Sequence, residues 1–291
     1  MVGGGLEQRT AGPHRDDLPV DGVPIRSAAT VVLLDDRPDL HVLALRRTDD
    51  STFVAGHTLF PGGAVDDGDR DPRWVDLSSG EVGDLPGMDD PRSYRIAAVR
   101  ETIEEVGMSV GIGDPEVAAD LVSRRRDLES GAVSLADLVA TAGVRVDLSD
   151  LWPVARWVTP MPSVKRYDTA FFVARAPVGA EPVVDGREAV HAEWCRPTDA
   201  LARWEAGELT MISPTIAMFQ RLASYRTVDE VLDAATSDAP VLHVRILDET
   251  TTPVRFAGDE GYDAPGTRPA LGWVWLPAGS RSAGSSDRRA P

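Results

Sequence analysis

The sequence predicts a mixed protein of the α/β or α+β sandwich type, and three observations carry that expectation. Two β-branched runs of strand length open the chain's regular part, a strong helix follows them, and strand-like and helical segments then alternate through the remainder. The 291 residues suffice for one enlarged domain or for a domain with a helical appendage, and no repeat at a fixed period suggests a solenoid.

In chain order, residues 1–22 are rich in Gly, Asp and Pro and read as a disordered lead. Ala28 to Leu34 and Leu40 to Arg46 read as strands joined through the turn-forming cluster Asp35 to Asp39, a candidate hairpin. The polar stretch from Asp66 to Asp90 holds Pro72, Pro86 and four glycines, lacks periodicity and reads as an inserted loop, bounded at 66–92. A helix is expected from Ser93 to Val106, closed by Gly107, with a helical region over 114–142 built from Glu116 to Leu128 and Leu135 to Thr141. Strands return at Val154 to Val158, Thr169 to Ala174 and Val190 to Cys195. Helices follow at Asp199 to Glu205, Pro214 to Ser224 and Val228 to Ala235, with Thr198, Ser213 and Thr227 as expected N-caps. These segments make a main domain over 23–240. Strand-like Leu242 to Leu247 and Leu271 to Leu276 give a C-terminal extension over 241–277, expected to fold onto the main domain or a second subunit, and 278–291 reads as a disordered tail.

Composition narrows the function classes. No apolar run approaches a bilayer span, and the start, Met1 to Arg9, has no apolar core behind a basic end, so cytoplasm is the expected location and no membrane partner is expected. With 47 acidic against 30 basic residues the net charge is −17, which disfavours a nucleic-acid partner. A small polyphosphate remains compatible if divalent cations bridge the two sets of negative charge. The single cysteine, Cys195, follows Trp194 in a strand-like run and reads as core packing rather than as a catalytic thiol. A homodimer stays open.

The informative segment is Arg95 to Met108. At about 100° per residue, Glu101, Glu104 and Glu105 fall on one side of the helix, with Ile96, Val99, Ile103 and Val106 centred on the other. Three carboxylates so close repel one another unless a cation compensates, and an oxygen-only set suits Mg²⁺ or Mn²⁺. Taken alone, such a run is more often a solvated face. Upstream, Leu59-Phe60-Pro61-Gly62-Gly63 marks a tight turn whose carbonyls can complete a metal site.

Together these segments resemble the Nudix box. Arg100-Glu101-Thr102-Ile103-Glu104-Glu105-Val106-Gly107-Met108 matches its second half with only Thr102 off pattern, and Gly63 stands as the leading glycine. Asp69 occupies the position of the box's first glutamate, and thirty residues rather than seven separate it from Arg100. A long insert at this point is similar to the branch of Nudix enzymes that includes a peroxisomal coenzyme A diphosphatase; Arg166 to Phe172 and Ser213-Pro214-Thr215 also look like that branch. The resemblance implies a Nudix-type α/β/α sandwich with a mixed sheet and additional helices. It also implies hydrolysis of a diphosphate linkage in a nucleotide derivative, with coenzyme A or acyl-coenzyme A as first substrate and NADH or ADP-ribose as runner-up. It implies Mg²⁺ or Mn²⁺ bound by Glu101, Glu104 and Glu105 with a main-chain carbonyl of Gly62 or Gly63, Arg100 orienting the glutamates, and Glu101 as general base. Glu188 is a second candidate for base or ligand, set against an ordinary surface acid.

The rival from another class is a non-catalytic Nudix-like module that binds a nucleotide and reports it to a partner; the intact Arg100-Glu101 and Glu104-Glu105 pairs weigh against it. His57 reads as a structural hydrogen-bonding group, and Arg46 and Arg47 as either phosphate contacts or a solvated strand end. The run Asp67 to Asp71 is not a calcium loop, because Pro72 and Ser78 stand where that loop needs glycine and glutamate.

Overall fold

The computed structural model describes residues 12–19, 22–49, 54–184, 186, 189–247 and 254–279. Glu188 lies outside the described residues, as do 1–11 and the tail from 280.

The strands are β1 (Ile25–Asp36), β2 (Leu40–Arg47), β3 (Thr58–Leu59), β4 (Gly62–Ala64), β5 (Ser78–Ser79), β6 (Val146–Asp147), β7 (Trp152–Val158), β8 (Arg166–Arg175), β9 (Ala189–Cys195), β10 (Leu242–Ile246) and β11 (Arg268–Val274). The helices are α1 (Trp74–Leu77), α2 (Pro91–Val106), α3 (Pro115–Ser123), α4 (Arg125–Glu129), α5 (Leu135–Ala142), α6 (Pro197–Glu205), α7 (Ser213–Leu222) and α8 (Val228–Ala235).

One mixed sheet runs β10-β11-β7-β8-β1-β2-β3, with β4 also on β1 and β9 also on β2. β1 and β8 pair in parallel while the other neighbours are antiparallel. The period-2 alternation of β1 divides the interior. Ala29, Val31 and Leu33 join a core with Ile96, Val99 and Ile103 of α2, and Val32 and Leu34 join one with Ile216, Phe219 and Val231 of α7 and α8. Helices therefore cover both faces of the sheet, and the expected α/β/α sandwich is the observed one.

α2 starts at Pro91 behind an Asp90 cap and stops where Gly107 takes φ +64°, a conformation costly for any residue with a Cβ. Its expected two-faced character is corrected: Tyr94, Ala98, Thr102 and Glu105 are buried along with the apolar stripe. The insertion is part of the reason, with β4, α3 and α4 packed on the same helix. It is not the structureless loop its composition suggests, because it carries a 3₁₀ turn (Asp67–Arg70), α1 and β5, which pairs with β6. Buried Trp74, whose indole N–H donates to Gly68 O at 2.9 Å, and Leu85 and Met88 seat it on the α2 core.

Further expectations are corrected. Residues 12–19, placed in a disordered lead, are docked: Arg156 donates to Pro13 O and Arg166 to Pro19 O, each at 2.8 Å, while Leu18 packs with Trp273 and Trp275. Those anchors lie more than a hundred residues away, where no local pattern displays them. Helix α6 begins two residues and α7 one residue earlier than expected, with Arg196 and Ile212 as caps rather than Thr198 and Ser213, because Pro197 and Pro214 suit the first helical turn. Thr227 does cap α8. The run Glu116 to Leu128 divides at Arg124 into α3 and α4. In the C-terminal extension, expected to fold onto the main domain or a second subunit, β10 and β11 lengthen the central sheet through β7.

Beneath these contacts lies a fully buried ion pair, Arg156 Nε and Nη2 to Asp168 Oδ1 and Oδ2, both at 2.8 Å. Removing one partner strands the other charge in the interior, so Asp168→Ala is expected to lower unfolding free energy by about 3–5 kcal/mol. Urea denaturation checks this; a loss below about 1 kcal/mol would show that the pair is not a structural anchor.

Candidate active site

The acidic helix meets the Pro-Gly-Gly segment because β4 is a strand on β1 rather than a free turn. Val31 N donates to Pro61 O at 2.8 Å, and Gly62, Gly63 and Ala64 register against Thr30, Ala29 and Ala28. Gly62 N in turn donates to Glu105 Oε2 at 2.8 Å. A Cβ at Gly63 would collide with the Glu101 carboxylate, so only glycine lets that carboxylate lie against the strand.

Arg100 is the centre of the cluster. Its Nε and Nη2 donate to Asp69 Oδ1 and Oδ2 at 3.0 and 2.9 Å, its Nη1 to Glu101 Oε1 at 2.8 Å and Glu104 Oε2 at 2.7 Å, and its Nη2 also to Ala64 O at 2.8 Å. All five guanidinium protons are thereby used. Asp69 is 2% exposed, and its Oδ2 also accepts from Asp66 N at 2.8 Å. The thirty-residue displacement therefore leaves its pairing with Arg100 intact. The shorter aspartate serves because the 3₁₀ turn brings its backbone up to the helix.

The carboxylates are not a solvated face. Burial pushes the Glu101 acid up to about 7, partly opposed by Arg100 and reinforced by the charge of Glu104; Glu104 and Asp69 are also raised, chiefly by desolvation. Arg100, despite its burial, is held firmly protonated by Glu101, Asp69 and Glu104.

These groups sit in a cleft with a cavity volume of about 1220 Å³. Its floor includes Ala28, Thr30, Thr169 and Phe171 on the sheet face away from α2, and the start of α7 forms one wall. Arg47 lines it, whereas exposed Arg46 pairs with Asp49 at 3.7 Å. His57 bonds Ala55 O at 2.8 Å, in keeping with a structural role. Cys195 is a core residue, donating to Val42 O with its thiol pushed up to about 12 by burial. Sequence reading missed the far wall from β7, β8 and β11, since wall residues there carry no motif of their own. Arg166 and Asp168, quoted only as part of a resemblance, prove to be buried anchors.

A family profile for the NUDT19 Nudix domain matches residues 81–222. The acyl-coenzyme A diphosphatase NUDT19 of Gallus gallus is 25% identical over 267 residues, covering 71% of this chain and 70% of that protein. Its Homo sapiens counterpart is 25% identical over 235 residues, covering 65% and 62%. The chain thus matches less than two thirds of the human protein's length. Among solved structures, the Nudix hydrolase from Alicyclobacillus acidocaldarius is 30% identical, covers 74% of this chain and 97% of its own, and superposes with a TM-score of 0.61.

The raised acid of Glu101 has a consequence for stability. A carboxyl raised from 4.5 to about 7 contributes fully below pH 4.5, and its contribution is lost as pH rises through 7. In chelator, the protein is expected to lose on the order of 1–3 kcal/mol of unfolding free energy between about pH 4.5 and 7.5 from this group. Glu101→Gln should flatten that slope in denaturant titrations; an unchanged slope would show that Glu101 does not titrate in this range.

Proposed function

This chain belongs to the Nudix hydrolase family, and on that premise we propose that it hydrolyses the diphosphate linkage of coenzyme A or acyl-coenzyme A with the help of Mg²⁺ or Mn²⁺. The carrying observation is the Arg100 hub, which gathers Glu101 and Glu104 beside Gly63 at a cleft wider than the roughly 300–1,000 Å³ of ordinary small-molecule sites. The names of the NUDT19 relatives support the substrate class.

The residues fit a hard divalent cation. The donors are all oxygens, from Glu101, Glu104 and Glu105 with the carbonyls of Gly62 or Gly63, and Arg100 offsets only part of the desolvation of Glu101, leaving the remainder for a cation. Among the described residues no three acidic, histidine or cysteine side chains yet converge on one point, since Glu105 turns to Gly62 N–H. When bound, the cation would neutralise the diphosphate and acidify the attacking water.

The chain's own residues do the rest. Arg100 holds Glu101 and Glu104 in fixed rotamers. Glu101 accepts the proton of the water whose oxygen attacks phosphorus, while the bridging P–O bond breaks and its electrons leave with the departing phosphate. For coenzyme A the products are 3′,5′-ADP and phosphopantetheine. Glu188 remains a second candidate for base or ligand.

The test is a product-resolved assay of coenzyme A, acyl-coenzyme A, NADH and ADP-ribose with Mg²⁺ or Mn²⁺. Glu101→Gln is expected to lower kcat by about 100-fold or more, and Glu104→Gln to weaken metal dependence. Faster cleavage of NADH or ADP-ribose would move the substrate to the runner-up class; tight binding without products would favour the non-catalytic module.

A further inference from the structure

The carboxylates lining the cleft are confined to one part of it, where Arg100 pairs with two of them. All five lining carboxylates, Asp66, Glu101, Glu104, Glu105 and Glu129, come from the turn after β4, from α2 and from α4. The opposite end is walled by the β7–β8 turn and by β11, and among the described residues lining it there is no carboxylate but two cations, Lys165 and Arg268. In a chain of net charge −17 that contrast is not a background effect.

The register brings those two cations to the same end. Gly272 and Trp273 of β11 pair with Trp157 and Arg156 of β7, so the antiparallel ladder carries Arg268 back level with the turn that follows Val158. That turn is closed by Thr159 N to Tyr167 O at 2.9 Å and holds Lys165, where Ser163 Oγ donates to Lys165 O at 2.7 Å. Arg268 lies two residues from Ala270, whose side chain is in the core on the cleft side of the sheet, so it belongs to the same face. Lys165 is also the sole lysine of the chain, all its other permanently charged cations being arginines. A lysine ammonium is a compact, mobile donor, and an arginine fork can grip two oxygens, a pairing suited to a phosphate monoester.

We propose that Lys165 and Arg268 form a subsite for a second phosphate on the substrate, a monoester on the nucleoside remote from the diphosphate that is cut. The inference rests on the proposed diphosphatase reading and narrows its substrate: it selects the 3′-phosphorylated adenosine of coenzyme A over NADH and ADP-ribose, which lack that group. Arg268 lies on β11, beyond residues 81–222, so the C-terminal extension supplies the selectivity while the box supplies the chemistry.

The experiment compares coenzyme A with 3′-dephospho-coenzyme A as substrates of the full chain and of Lys165→Gln, Arg268→Gln and the double variant. It also measures binding of 3′,5′-ADP and 5′-AMP by calorimetry. The wild type is expected to favour coenzyme A by about tenfold or more in kcat/KM, chiefly through KM, and 3′,5′-ADP over 5′-AMP by a similar factor; both ratios should fall toward one in the double variant. Cleavage of both substrates without preference, or a preference that survives the double substitution, overturns the subsite and leaves the diphosphatase reading standing. Failure to cleave either one, with a 3′,5′-ADP preference that the double variant loses, supports the subsite and overturns the substrate reading instead. Because only Lys165 and the chain's α-amino group are primary amines, reductive labelling with pyridoxal 5′-phosphate gives an independent check. Labelling at Lys165 that 3′,5′-ADP blocks and 5′-AMP does not supports the subsite, and labelling indifferent to both overturns it.

Discussion

The site depends on one guanidinium. Arg100 has five N–H donors in a rigid plane, and each has an acceptor: two on Asp69, one each on Glu101, Glu104 and Ala64. A lysine has neither the plane nor the number of protons to hold the same set. The arrangement binds three separate pieces of chain together: β4 through a carbonyl, the insertion's 3₁₀ turn through a carboxylate, and α2 through its own glutamates. It lets acidic groups crowd together in a desolvated place, because each negative charge shares a fixed positive one. Glu101 keeps the least compensation, and its acid is raised to about 7 accordingly.

That constraint explains how a thirty-residue displacement inside the box is tolerated. The entropy of closing a loop grows only with the logarithm of its length, so lengthening the connection costs far less than losing the pairing would. The insert also offsets part of its ordering cost by burying Trp74, Leu85 and Met88 against α2. It thereby shares with β4, α3 and α4 in covering α2, while β4 lies directly against the Glu101 and Glu105 carboxylates. The insertion thus shapes the electrostatics of the site as well as spanning a gap.

The sheet divides labour between its two faces. α2 and the insertion pack on one, and the cleft opens on the other; β4, lying on β1, lets Glu101 reach the cleft from the helix side. The buried Arg156–Asp168 pair ties β7 to β8 at the end where the residue 12–19 segment docks, steadying the strands that carry the far wall. β10 and β11 then extend that wall. The cleft is therefore assembled from segments lying before, within and after the matched family domain.

Much was legible in the residues alone. The β1–β2 hairpin, α2 with its Gly107 stop, the alternation of elements and the Arg100 to Met108 pattern depend on propensity and spacing over a few turns, so local chemistry determined them. Four features were not legible: the use of Asp69 as Arg100's partner, the burial of Glu105 and partial burial of Glu101 and Glu104, the docking of residues 12–19, and the joining of β10–β11 to the central sheet. Each of these is a contact between segments separated by tens to hundreds of residues. Periodicity reports which face of a segment is apolar, but not which distant segment will cover it. Only the folded chain decided whether the acidic stripe met water or an arginine, because that depends on what packs over it.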